Sequence, residues 1–274
     1  MVHSSNHDLR SLVPYGLVVS RSWLIEKGIK RHQVDNWVKS GQLVAVARGV
    51  FMRPETEMTW QSVVCSLQRM GDLLTPGGLT ALTLQGMNHY LSSNDQNTIH
   101  LYGSNPLPEW TKKLIPGTTF IRHNELDMNS GYDASDPGFH LVPWAPHYWL
   151  YGSDKLRIDI SSPELAILEV LMDVPQHVSF EHADQLLQGL PTLSPHKLSR
   201  LLERCTNVKV KRLFLWLAEK NQSPWLKKID LEKFSMKSGS LGSGKRVLAE
   251  GGSLDPKYLI TVPHDMQRNA HGQE

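Results

Sequence analysis

Cysteine is nearly missing from this chain of 274 residues: Cys65 and Cys205 are the two it has, far apart and outside any CxxC spacing. That excludes a disulfide-stapled scaffold and a thiolate zinc site, and it points to a reduced, cytosolic thiol pair. Long apolar runs are missing too, the longest being far below the roughly 18 residues that span a bilayer. The opening MVHSSNHDLR is polar, without the charged-then-apolar pattern of an export signal. A cytoplasmic location and no membrane are therefore expected. Enzyme signatures are equally scarce. The 13 histidines include no HExxH, and His177 and His182 stand five apart, which is awkward for one helix face. No GxSxG nucleophile elbow occurs. No catalysis, no metal and no cofactor are expected.

Two segments imitate enzyme motifs and fail on detail. GSLGSGKR (239–246) matches GxxxxGK[ST] until Arg246 stands where a magnesium-binding hydroxyl belongs. The preceding KIDLEKFSMK is no clear buried strand, so a glycine-rich turn presenting Lys245 and Arg246 is the better reading. Asp159, Glu164 and Glu169 in RIDISSPELAILEVL resemble the paired carboxylates of metal-dependent nucleases. No lysine follows at the usual spacing after a second strand acid, and Ser161-Ser162-Pro163-Glu164 has a plain use as a helix start. Glu169 is expected on the polar side of that helix.

What is present is charge, sorted along the chain. Residues 1–53 hold eight Lys/Arg against three Asp/Glu, residues 54–203 eight against 17, and residues 204–246 eleven against three. Basic ends around an acidic middle suit a protein that grips a polyanion in one place and something else elsewhere, although such runs are also common as solvated faces. Length and 40% hydrophobic residues suffice for two domains. The expected fold class is α+β: an N-terminal winged helix-turn-helix over 1–55, then a larger mixed α/β domain over 59–265, and a disordered tail at 266–274.

The N-terminal expectation rests on residues 17–53. Ser20 is a natural N-cap for a short helix carrying Trp23, Leu24 and Ile25, which Gly28 ends. A second helix runs from about Arg31 to Ser40, with Val34, Trp37 and Val38 on one buried stripe, and Gly41 closes it. His32, Asn36 and Lys39 then point outward, flanked by Gln33, while Arg31 and Asp35 lie nearer the stripe. Asn and Gln can pair bidentately with adenine, and Lys30 and Arg31 sit at the helix start, where recognition helices meet bases. Leu43–Ala47 and Val50–Met52 read as strands around Arg48-Gly49, with Gly49 lifting Arg48 to the tip of the wing. Arg48, Arg21 and Lys30 would bind phosphates. The bland reading is a small helical domain whose polar face is merely wet.

Farther along, helices are expected from Trp60, over 79–85, and over 164–172, 180–187, 195–205 and 208–219. Strands are expected over 98–102, 119–123, 139–142 and 155–160. On the helix at 208–220, Val210, Leu213, Phe214 and Leu217 form a core stripe. Lys209, Arg212, Trp216 and Lys220 would face out. That basic, aromatic side could hold phosphates or an acidic partner, or it could be a solvated face with Trp216 tucked against a neighbour.

WLIEKGIKRHQVDNWVKSGQLVAVARGVF resembles the N-terminal winged helix of AbiEi-type antitoxins of type IV toxin–antitoxin systems. The resemblance continues through GGLTALTLQGMNHYL (77–91), SSPELAILEVL (161–171), CTNVKVKRLFLWLAE (205–219) and GSGKRVLAEGGSLDPKYLITVP (242–263), so it spans nearly the whole chain. It implies a bacterial repressor of its own operon, binding double-stranded operator DNA at inverted repeats. The C-terminal part would counter a co-encoded nucleotidyltransferase-like toxin without needing a stable complex. Lys209, Arg212, Trp216, Lys220, Lys245 and Arg246 become candidates for the antitoxin surface. A DNA-targeted metal-dependent nuclease and a winged-helix module that binds protein are the alternatives.

Overall fold

A serine hydroxyl and a glycine set the limits of the first long helical turn. α1 (Leu9–Leu12) leads into β1 (Val18–Ser20), α2 (Arg21–Glu26), α3 (Arg31–Lys39), β2 (Val44–Ala47) and β3 (Val50–Met52). The Ser20 hydroxyl accepts the Trp23 N–H at 3.1 Å, a cap that contributes about 1 kcal/mol. At the other end Ile29 N–H bonds Leu24 C=O at 3.0 Å and Gly28 N–H bonds Ile25 C=O at 2.9 Å. This reversal needs a left-handed residue after the cap, and Gly28 supplies it with φ of +87°. Ile29 and Leu24, which close it, are both buried.

This computed structural model describes residues 9–55, 57–87, 97–128, 147–151 and 156–268; the strand expected at 139–142 lies outside them. The described residues fall into two compact units. One lies within Met1–Pro76, Asn94–His123 and Tyr148–Asp159, the other within Gly77–Ser93, Asn124–His147 and Ile160–Glu274.

In the first unit β3 is the centre of an antiparallel sheet, order β1-β3-β2. Val19 and Ala45 both pair with Phe51, and Ala47 pairs with Val50 across the Arg48-Gly49 turn. β1 was not expected: three residues are too short to show alternation, and the apolar Leu17-Val18-Val19 before the cap is its one signal. Leu12, Val19, Trp23, Leu24, Ile29, Val34, Leu43 and Phe51 form the core of this part. α4 (Trp60–Arg69) starts at a Thr59 cap and buries every residue from Ser62 to Leu67, while Trp60 stays half-buried. The Gln68 amide works as a strand partner. Its Oε1 accepts Asp159 N–H at 2.9 Å, while Nε2 donates to Asp159 C=O at 2.9 Å and Leu74 C=O at 3.0 Å. Strands β4 (Thr75–Pro76), β5 (Thr98–Tyr102) and β6 (Thr119–His123) form a second sheet in that order, β5 and β6 parallel. Parallel neighbours need a crossover, and α6 (Thr111–Leu114) lies in it. β7 (His147–Tyr151) pairs with β8 (Leu156–Ile160).

The second unit is mainly helical: α5 (Gly78–Leu84), α7 (Pro163–Met172), α8 (Phe180–Gln188), α9 (Pro195–Arg204) and α10 (Val208–Lys220), followed by 3₁₀ turns at Pro224–Lys228 and Leu231–Phe234. A β9 (Ser253–Asp255)–β10 (Ile260–Val262) ribbon and α11 (His264–Arg268) complete it. Ser162, Ser179, Ser194 and Asn207 each accept an N–H of the following first turn, so α7 to α10 are all side-chain capped. The tail expected from 266 is corrected in part, since residues 266–268 belong to α11 and Met266 is buried.

The outward stripe expected on α10 is also corrected. Helix α10 is buried all round, so a wheel drawn for a surface helix misplaces its cations. Arg212 has 0% exposure. Its Nε donates to Leu241 C=O at 2.8 Å, and Nη1 donates to Gly244 C=O at 2.7 Å and Leu259 C=O at 3.3 Å. Lys209 Nζ donates to the Met172 and Val174 carbonyls, each at 2.7 Å, where α7 ends and its dipole favours a cation. Lys211 donates to Ser240 C=O. Lys220 pairs with Asp184 at 2.7 Å, both nearly buried, and Trp216 lies in the core. Burial drives the Lys209, Lys211 and Arg212 pKa values down from their ordinary levels, with Arg246 adding like-charge repulsion at Arg212. Of the six residues singled out, only Lys245 and Arg246 are exposed.

Candidate nucleic-acid interface

α3 is held to its unit by one face. Val34 is fully buried, Trp37 and Val38 are half-buried, and all three pack on the same core. His32, Asn36 and Lys39 are exposed, as the helical spacing requires, and so are Lys30, Arg31 and Gln33. Asp35, the one acid on α3, is bound by Arg21: Nη1 to Oδ1 is 2.8 Å. The free charge of this helix is therefore positive. At its N-terminus the positive end of the dipole adds to Lys30 and Arg31, a combination suited to a phosphate.

Arg21 differs from the other expected contacts. It is half-buried, ion-paired with Asp35, and lies over the Phe51 ring at 5.1 Å. An exposed pair of this kind contributes about 0–1 kcal/mol, so its effect is to orient α2, α3 and β3 rather than to stabilise them. The wing is tied in beside it, since Gly49 C=O accepts the Arg21 N–H at 2.8 Å. Gly49 takes φ of +73° and leaves the Arg48 side chain exposed at the turn. Sequence reading did not find two neighbouring arrangements. Lys27 sits above the Trp23 ring at 5.5 Å, and Arg53 stacks on Tyr15 at 3.7 Å while bonding its hydroxyl at 2.9 Å. Lys27 and Trp23 are one helical turn apart, a usable signal. Tyr15 and Arg53 meet only through folding.

Gln33 has a second occupation. Lys30 offers no side-chain oxygen to cap α3. Gln33 Oε1 instead accepts the Lys30 backbone N–H at 2.9 Å, the returning half of a capping box.

The nuclease-like carboxylates are committed elsewhere. Glu164 Oε1 accepts Ser194 N–H at 2.9 Å. Glu169 accepts the Ser161 hydroxyl at 3.0 Å and Gly78 N–H at 2.8 Å, and at 3% exposure it is buried rather than on a polar face. Asp159 pairs with Arg157 at 2.6 Å. Residues 239–246 form turns, and Arg246 then bridges Ile260 where a P-loop would begin a helix. Among the described residues no three His, Cys, Asp or Glu converge to hold a metal ion, and no helix is long and apolar enough to cross a membrane.

Fold and site together define an α+β protein built around a winged helix-turn-helix with a cationic, outward second helix. Residues 2–93 match the family model described as transcriptional regulator, AbiEi antitoxin N-terminal domain. Residues 96–263 match the one described as transcriptional regulator, AbiEi antitoxin, type IV TA system. The chain belongs to the AbiEi antitoxin family of transcriptional regulators of type IV toxin–antitoxin systems. Among solved structures it is similar to the RV2827C protein from Mycobacterium tuberculosis, at 16% identity and a TM-score of 0.45, over 89% of this chain and 85% of that one. A search of curated proteins finds no match.

Proposed function

We propose that this protein is a sequence-specific, double-stranded DNA-binding repressor of its own operon. In the same reading it is a non-catalytic antitoxin countering a co-encoded nucleotidyltransferase-like toxin in the cytoplasm. The observation that carries the DNA reading is the exposed side of α3: hydrogen-bonding and basic side chains on a helix whose opposite stripe is buried and whose one acid is already paired. Laid in a major groove, Gln33, Asn36 and His32 meet base edges, while Lys30, Arg31, Lys39 and Arg48 meet phosphates. Arg21 supports the group from behind. The operator is an inverted repeat upstream of the operon, read by more than one copy.

A mobility-shift series with that upstream duplex and a scrambled one tests the division of labour. Asn36→Ala is expected to cost on the order of 1–3 kcal/mol on the operator alone. Arg48→Ala should weaken both duplexes alike. If both variants bind both duplexes like wild type, the assignment fails.

For the antitoxin role the exposed Lys245 and Arg246 are the surface we propose, with Lys209, Arg212, Trp216 and Lys220 supporting the fold beneath. Toxin and antitoxin need not form a stable complex. Growth rescue by the wild-type chain, lost in a Lys245→Ala/Arg246→Ala double variant that folds normally, is the expected outcome. Undiminished rescue would remove these two residues from the role.

A further inference from the structure

We infer that Gln33 reads DNA with its amide nitrogen alone, so that the operator half-site places guanine or thymine opposite Gln33 and adenine opposite Asn36. This rests on the DNA-binding reading above. Gln33 Oε1 is occupied by the Lys30 backbone N–H at 2.9 Å, which leaves Nε2 and its two hydrogens facing solvent. With one lone pair of Oε1 committed there and the oxygen drawn back onto the helix start, the amide does not present the side-by-side oxygen and N–H that the paired N6/N7 contact to adenine needs. Its two hydrogens suit guanine, whose O6 and N7 both accept, or thymine O4, over adenine, which offers only N7 beside an N6 group that donates. No hydrogen bond engages the exposed Asn36 amide among the described residues, so it keeps both donor and acceptor for adenine. The two residues lie one helical turn apart, about 4.5 Å along the axis. The two base pairs they read are therefore one or two steps apart. Sequence alone gave Gln33 and Asn36 the same chemistry; the cap separates them.

Gln33→Glu distinguishes the two duties of this side chain. A glutamate at the third helical position still accepts the Lys30 N–H, which preserves the cap, but it offers only acceptors to the groove. Gln33→Ala loses both. The full-length chain and its variants are each used to enrich duplexes from a randomised library, and each enriched duplex is compared with a scrambled one in binding and each protein in thermal unfolding. Wild type is expected to enrich guanine or thymine at one position and adenine one or two base pairs away. Gln33→Glu is expected to melt within about 2 °C of wild type. Its ratio of enriched-duplex to scrambled affinity should fall at least tenfold, and its own selection should turn toward cytosine, whose N4 amino group donates. Adenine enriched at both positions, or a Gln33→Glu preference unchanged at every base, would overturn the inference while leaving DNA binding intact. A wild-type chain that enriches no sequence and binds no duplex would instead sink the DNA-binding reading itself.

Discussion

Replacing Arg212 by alanine should be among the most damaging single changes in the second unit. The guanidinium, 0% exposed, donates to the Leu241, Gly244 and Leu259 carbonyls. It thereby clamps the glycine-rich turns and the strand ribbon onto α10. Alanine would leave the Leu241 and Gly244 carbonyls without this donor and open a cavity on α10, while the Leu259 carbonyl keeps the Arg246 N–H at 2.8 Å. Each buried carbonyl left unsatisfied costs about 1–3 kcal/mol. Relief of the buried charge, whose burial and Arg246 neighbour already lower its pKa, offsets part of the sum. A net loss of about 3–5 kcal/mol follows, or a Tm about 10 °C lower. Arg212→Met refills the volume without the donors and should lose about 2–3 kcal/mol. The exposed Lys245→Ala should stay within about 0.5 kcal/mol of wild type. Urea unfolding followed by tryptophan fluorescence reads all three. A loss below about 1 kcal/mol for Arg212→Ala would refute the clamp and return Arg212 to the surface role that the helical wheel gave it.

Gly28→Ala forces a side chain into a left-handed turn at φ of +87°, and about 1–2 kcal/mol of stability should go, visible as a lower Tm; an unchanged Tm would mean that the turn relaxes freely. Glu169→Ala strands the Gly78 N–H and the Ser161 hydroxyl and should cost about 2–4 kcal/mol in urea unfolding, whereas wild-type stability would show that water replaces the carboxylate. Burial raises the Cys65 and Cys205 thiol pKa values above 9.0. Because the folded values exceed the unfolded ones, the stability linked to these thiols is complete below pH 9.0 and is lost as pH rises through the folded values. A disulfide reagent at about pH 8 should accordingly label the native chain far more slowly than the urea-unfolded one, and equal rates would contradict the burial.

How much was legible in the sequence depended on whether the governing contact was local. The boundaries of α2 and α3, and the caps Ser20 and Ser162, follow from residues within one turn of each other. β5 and β6 occupy the residues expected because Gly, Pro and Asn bracket them. On α3 the wheel placed the exposed and buried residues correctly, since a surface helix with one covered face obeys it. The same wheel failed on α10. Nothing in VKVKRLFLWLAEK says that carbonyls from Met172, Ser240 and Leu259 arrive to receive its cations. Asp35 likewise read as an unpaired acid nearer the buried stripe, and only its meeting with Arg21, 14 residues earlier, neutralises it. Gln33 capping was within reach, because a glutamine three residues after the N-cap is half of a known local pattern.

The most direct measurement is the salt dependence of binding to the upstream duplex, by fluorescence anisotropy, for wild type and for a Lys30→Ala/Arg31→Ala/Lys39→Ala variant with a normal Tm. With about four to six phosphates neutralised per copy, log affinity should fall against log salt with a slope of about −4 to −5 in wild type. The variant should be shallower by about 2–3. An identical slope in the two proteins, or wild-type binding indifferent to salt, would contradict a DNA-binding face on α3.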